Sequence, residues 1–184
     1  MNTIYFSDRK KWRRRLEDNF KKETEIWLIF PRKNSDRPRI SYNDAVEEAL
    51  CFGWIDSIVK TFDEENTMQR FSPRKSNNNY SQQNRERLRW LQKENLLHHS
   101  IKKRVAAIIR EEFVFPADIL NEIKNDPITW KHYNAFSDAY KRIRISYIDA
   151  ARKRPEEFRK RLNNFLIKTR LNKQIGFGGI EKYY

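Results

Sequence analysis

The sequence predicts an α+β protein, with a small, mostly antiparallel sheet and its helices in the first half and an all-helical second half. Three observations lead there. Short apolar runs such as EIWLIF at 25–30, and alternating segments around a polar turn at 63–66, occur only before residue 95. After residue 95 the alternation disappears and apolar residues recur at helical spacing. In that second half Pro116, Pro127 and Pro155 mark helix starts, since proline is tolerated in a first turn but not in a helix interior. The expected organisation is an α+β lobe over 1–95, a helical region over 96–175 and a Gly-rich tail over 176–184.

Taken in order, Asn2 to Phe6 reads as a short strand, and Ser7 as the N-cap of a helix to about Asn19 with Trp12, Leu16 and Phe20 on its apolar side. Glu25 to Phe30, closed by Pro31, suits a central strand, and Arg32 to Arg39 a basic loop. Ser41 caps a second helix with Tyr42, Ala45, Val46, Ala49 and Leu50 at 3.6-residue spacing, and Gly53 stands where a helix usually stops. Ile55 to Phe62 and Thr67 to Ser72 form a hairpin around Asp63 to Asn66. Asn77 to Asn79 read as a loop, and Ser81 starts a helix through about Glu94 with Leu88 and Leu91 inward. Beyond it Ile101, Val105, Ile108, Ile109 and Phe113 form one stripe. Ser137 caps a helix bearing Tyr140, Ile143, Tyr147 and Ile148, and Pro155 opens the last, with Phe158, Leu162, Phe165 and Leu166 inward. In the tail, Phe177, Ile180 and the terminal tyrosines are expected to dock on the body or on a neighbouring subunit.

The chain has 184 residues, of which 38% are apolar and 14% aromatic; that aromatic content is too rich for a disordered chain. Its 39 Lys and Arg against 25 Asp and Glu leave a net charge of +14. Such a field favours polyanions, such as nucleic acid, anionic headgroups or lipopolysaccharide, and opposes long-range attraction of cationic peptides. Cys51 is the single cysteine, which excludes an intrachain disulfide and a Cys-based metal cluster. No apolar h-region opens the chain and no stretch approaches 18 apolar residues, so the expectation is a cytoplasmic protein without a transmembrane segment.

The segment Ser41 to Lys75, SYNDAVEEALCFGWIDSIVKTFDEENTMQRFSPRK, joins an amphipathic helix, a Cys-Phe-Gly-Trp junction, a strand and a basic exit. With Trp27 before it and Asp118-Ile-Leu, Asp126-Pro and a basic final helix after it, it resembles the YdeI/OmpD-associated family, whose name refers to bacteriocin protection. Tyr147-Ile148 and Pro155-Glu156-Glu157 stand where many relatives carry a Trp-Ile and a later Thr-Arg pair. The resemblance implies an N-terminal lobe similar to the YjbR/CyaY-like α+β fold, and a protective role without a chemical mechanism. Fold membership does not transfer function.

The candidate ligand-binding residues are Trp54, Asp56, Arg70, Arg74 and Lys75. Strand alternation places Trp54, Asp56 and Ile58 on one face, an aromatic platform beside a carboxylate. Arg70, Arg74 and Lys75 leave the next strand as donors for a small anion or phosphate. The competing reading is an Asp56-to-Arg ion pair that pins the hairpin. Cys51 lies between Leu50 and Phe52 at a helix C-terminus, where the dipole disfavours a thiolate, so it reads as structural. His98 and His99 diverge by about 100° if both are helical, and His132 is isolated; these three read as surface histidines. No HExxH, catalytic triad, GxGxxG or P-loop occurs, and no metal or cofactor is expected. The basic runs at 9–15, 102–104, 141–144 and 152–161 interleave with Trp12, Tyr140, Tyr147 and Phe158, as single-strand binding would require, yet these aromatics fall on inward stripes. The first reading is therefore a non-enzymatic module binding a small anionic molecule or a protein. A nucleic-acid-associating protein and an enzyme with a site around Trp54 and Asp56 are the alternatives, and the oligomeric state stays open.

Overall fold

The computed structural model describes residues 2–75, 80–176 and 179–183. The chain is α+β and divides into two compact units, Met1–Asn79 with Arg87–Ile109, and Tyr80–Glu86 with Arg110–Tyr184. The expected loop at 77–79, and residues 177 and 184 of the tail, lie outside the described residues.

The first unit runs β1 (Thr3–Tyr5), α1 (Arg9–Asn19), β2 (Ile26–Pro31), α2 (Tyr42–Cys51), then the hairpin β3 (Trp54–Thr61) and β4 (Asn66–Pro73). The sheet order is β1-β2-β4-β3, with β1 parallel to β2 and the other pairs antiparallel. β2 is apolar on both faces and lies inside the sheet, between β1 and β4. α1 starts on Asp8, one residue beyond the expected Ser7, because the Asp8 carboxylate accepts the Lys11 amide at 3.0 Å and a charged acceptor outcompetes a hydroxyl there. Trp12 is fully buried, and its Nε1 donates to the Ala45 carbonyl of α2 at 3.0 Å.

The seam between α1 and α2 also buries charge. Glu47 and Glu48 are 0% and 1% exposed. Arg9 Nη1 lies 2.8 Å from Glu47 and 3.0 Å from Asp44, its Nε bonds Glu48, and Arg13 Nη1 donates to Glu48 at 2.7 Å. Seven successive residues, Ala45 to Cys51, are buried. Tyr42, expected on the core stripe, stands ahead of that stretch in the first position of α2 and is 47% exposed.

α3 (Gln82–Lys93) contributes its first residues to the second unit and its remainder to the first. α4 (His99–Arg110) lies past the expected boundary at 95 but packs, up to Ile109, in the first unit. Its stripe Ile101, Val105 and Ile108 is buried, the His98 amide donates to Cys51 O at 3.1 Å, and Arg89 Nε donates to Ile109 O at 3.0 Å.

The second unit is helical: α5 (Ala117–Lys124), α6 (Pro127–Ala135), α7 (Asp138–Asp149), α8 (Pro155–Arg170) and a short 3-10 turn at Glu181–Tyr183. Ile119, Ile123, Tyr133, Tyr140, Ile148 and Phe165 form its core. Asp126 caps α6 by accepting the Thr129 amide at 2.9 Å, and Ser137 caps α7 by accepting that of Tyr140 at 3.3 Å. α8 carries Glu156 and Glu157 in its first turn and Lys168 and Arg170 in its last, each sign at the end that the helix dipole favours. Tyr147, expected inward, is 38% exposed, because the Arg161 guanidinium covers its ring at 3.8 Å in place of apolar neighbours. Ile180 and Tyr183 of the tail are buried.

Candidate functional site

α2 ends at Cys51, and the chain must turn sharply before β3 begins at Trp54. Gly53 makes that turn at φ +74, in the left-handed region where a side chain is strained. A Cβ at Gly53 would stand 2.9 Å from Ile101 Cδ1 and 3.5 Å from Arg104 Nη1, so the missing side chain lets α4 lie against the backbone. The Gly53 carbonyl accepts the Arg74 amide at 2.9 Å, which ties the exit of β4 to the same turn. Trp54 is 1% exposed, and its indole N–H donates to Phe20 O at 3.1 Å.

These constraints leave a cavity of about 350 Å³ at the junction. Phe20, Phe52, Trp54 and Ile101 supply apolar walls, Lys21 and Arg104 supply positive charge, and Ser100 brings the first turn of α4 to its edge. No carboxylate lines it among the described residues. His98 packs against Phe20 and Phe52 at 5.0 and 5.3 Å between ring centroids. Its pKa is held below the usual histidine value by burial first, then by His99, while Glu17 pulls it up and Lys21 and Arg13 pull it down.

The structure separates the five candidate residues. Trp54 forms a wall of this cavity and is no open platform. Alternation fails beyond it: Asp56 opposes Phe71 whereas Val59 opposes Gln69, so the pairing shifts by one residue between them, and Ile58 is exposed. Asp56 accepts from Tyr42 Oη at 2.6 Å, a bond that together with burial raises the phenol's pKa. Register keeps Asp56 and Arg70 apart, because Asp56 shares a face with its cross-strand partner Phe71 and the adjacent Arg70 points to the other. On that other face Arg70 opposes Trp27, and its Nε donates to Glu25 at 2.6 Å. Arg74 reaches the junction through its backbone, and Lys75 is exposed. Lys21, Ser100 and Arg104 carry the cavity's polar edge and are absent from the sequence-derived set. Their one signal was the conjunction of Gly53 with the Ile101 and Arg104 pair at helical spacing.

The remaining candidates divide plainly. Cys51 is fully buried, and desolvation, then the Glu48 charge, pushes its thiol up to about 12, so it is no nucleophile at neutral pH. His98 and His99 do not diverge: their ring centroids are 4.1 Å apart, because His98 precedes α4 instead of lying on it. His98 and His132 are half-buried, and His132 Nδ1 lies 3.1 and 3.0 Å from the Thr169 and Arg170 carbonyls at the end of α8. Trp12 and Tyr140 are buried and cannot stack on bases, while Tyr147 and Phe158 sit under Arg161 and Arg152. Among the described residues no group of His, Cys, Asp and Glu is placed to hold a metal ion, and no helix is long and apolar enough to cross a membrane.

A sheet unit with a cationic, aromatic-walled cleft, followed by a helical unit, defines the class of protein. Two family models match it: one described as Domain of unknown function (DUF8412) over residues 4–104, and one described as Bacteriocin-protection, YdeI or OmpD-Associated over residues 112–172. The chain belongs to the family of that domain of unknown function, whose model covers more than half of it and includes Ser41 to Lys75, and its helical half matches the YdeI/OmpD-associated model. Neither match bears on the expected YjbR/CyaY-like character of the N-terminal lobe. No curated protein and no solved structure matches the chain.

Proposed function

We propose that this chain is a non-enzymatic binding module for a small anionic ligand, held in the cleft at the α2–β3 junction. The observation that carries the reading is the lining: two cations, Lys21 and Arg104, beside the aromatic walls, with no carboxylate among the described lining residues. A volume of about 350 Å³ lies at the small end of ligand pockets, which suits a compact molecule. The first turn of α4 adds a positive dipole end at Ser100.

The YdeI/OmpD-associated family's description links it to bacteriocin protection. A net charge of +14 and a cationic cleft disfavour direct capture of a cationic peptide, so the protective role we infer runs through an anionic partner or acts indirectly. A buried free thiol suits a reducing compartment, and a cytoplasmic setting is part of this reading. Titration calorimetry with pyrophosphate at constant ionic strength tests the site. Binding is expected to weaken about tenfold in Lys21→Glu and in Arg104→Glu, the usual scale for a reversed charge beside an anion. Equal affinity in wild type and both variants, or no binding in any, removes the proposal.

A further inference from the structure

The helical unit holds a second cleft, between α7 and α8 and closed by the chain at 175–176, with a volume of about 320 Å³. Its floor is apolar, formed by Ile148, Phe165 and Ile175. Among the described lining residues its rim carries Arg144, Lys160 and Arg161 with the acid Glu157, and the Glu181 carboxylate stands against Gly176, 2.8 Å from where a Cβ would be. From this lining we infer a second binding site, for a small amphiphilic anion: an aromatic or short aliphatic body bearing a single carboxylate or phosphate.

Each cation is disposed differently, and together they favour a ligand. Arg144 is 4% exposed, and its Nη2 donates to Ile175 O at 2.5 Å, so its guanidinium is oriented by the segment that closes the cleft. Arg161 is fixed at three points: its plane over the Tyr147 ring, its Nη1 donating to Tyr147 O at 2.8 Å, and its Nε donating to Glu157 at 2.7 Å. Rotamer freedom is already lost there, so an incoming anion would not have to order that side chain. Lys160 is exposed and has no hydrogen bond or ion pair among the described residues. Glu157 is engaged by Arg161, so Lys160 is the rim cation that an incoming anion would meet. A bare inorganic anion would leave the floor of Ile148, Phe165 and Ile175 unused, which is why the ligand class is amphiphilic.

The test uses the full chain and ligand-detected NMR with calorimetry, with phenylacetate, phenyl phosphate and inorganic phosphate as probes and benzyl alcohol as the uncharged control. One or both aryl anions should bind at least tenfold more tightly than inorganic phosphate and than benzyl alcohol; which of the two binds better identifies the head group as carboxylate or phosphate. Lys160→Glu, an exposed change that spares the fold, should weaken aryl anion binding about tenfold. Lys21→Glu should leave it unchanged, which separates this site from the junction cleft and lets either stand without the other. Failure of both aryl anions to bind, equal binding of benzyl alcohol or of inorganic phosphate, or indifference to Lys160→Glu overturns the inference.

Discussion

The α1–α2 seam and the α7–α8 cleft use the same kinds of side chain in opposite proportion. In the seam, two guanidiniums meet three carboxylates, two of them wholly buried. In the cleft, three cations and one carboxylate stand among the described lining residues beside an apolar floor. The first arrangement consumes charge to hold helices together, and the second leaves charge over. A net charge of +14 therefore does not by itself locate a binding surface. The run at 9–15 looks more basic in sequence than the rim of the cleft, yet Arg9, Arg13 and Arg15 are all spent on acids.

The largest expected effect comes from breaking the seam. Glu48→Ala removes the carboxylate that Arg9 and Arg13 share; Arg9 keeps Glu47 and Asp44, while Arg13 loses its acid in a mostly buried site. Urea unfolding should show a loss of about 3–5 kcal/mol, the range for removing one member of a buried ion pair. Arg13→Ala added to Glu48→Ala should cost less than the sum of the single changes, since the two residues act as one network. If Glu48→Ala costs under about 1 kcal/mol, the seam behaves as a surface pair and its contrast with the cleft collapses.

Cys51 gives a smaller and pH-dependent probe of the same seam. Burial and the neighbouring Glu48 raise its thiol to about 12 in the folded chain. A raised folded pKa means that the unfolded chain loses its proton first, so this stabilisation is complete below about pH 8.5 and lost as pH rises toward 12. Within that window stability should fall by up to about 1.4 kcal/mol per pH unit from this group. Tyr42 and Tyr133, whose phenols are also raised, titrate in the same direction, so the readout is the difference between wild type and Cys51→Ala across pH 8–10. Parallel curves for the two proteins mean that the thiol is not desolvated as the seam requires.

Local signals made most of the fold legible. The caps at Ser41, Asp126 and Ser137, the proline starts and the apolar periods are decided within a few residues, and sequence reads them well. Tyr42 and Tyr147 misled because periodicity shows which side of a helix is apolar but not how far a neighbour reaches to cover it. The candidate site was half legible. Trp54 and the Gly53 turn mark the junction where the cleft lies, while Asp56 and Arg70 were joined by an alternation that a one-residue shift in pairing and the strand register undo. Lys21, in the turn after α1, and Arg104 of α4 are far apart in the chain, and only packing against Gly53 brings them together.

The smallest expected effect sharpens the cleft's side of the contrast. Glu157→Gln keeps an oxygen in place to accept from Arg161 Nε, so the geometry over Tyr147 should persist while its negative charge on the rim disappears. Affinity for phenyl phosphate should then rise by about twofold to fivefold, the scale of one exposed charge acting across a few ångströms of water. The gain should shrink between 50 and 500 mM salt, because a screened interaction has little left to give at a Debye length of about 4 Å. A gain that survives high salt would come from altered packing, and a loss would mean that Glu157 orients Arg161 through its charge. In that case the acid belongs to the site's construction, and the cleft would share with the seam the use of carboxylates as positioning groups.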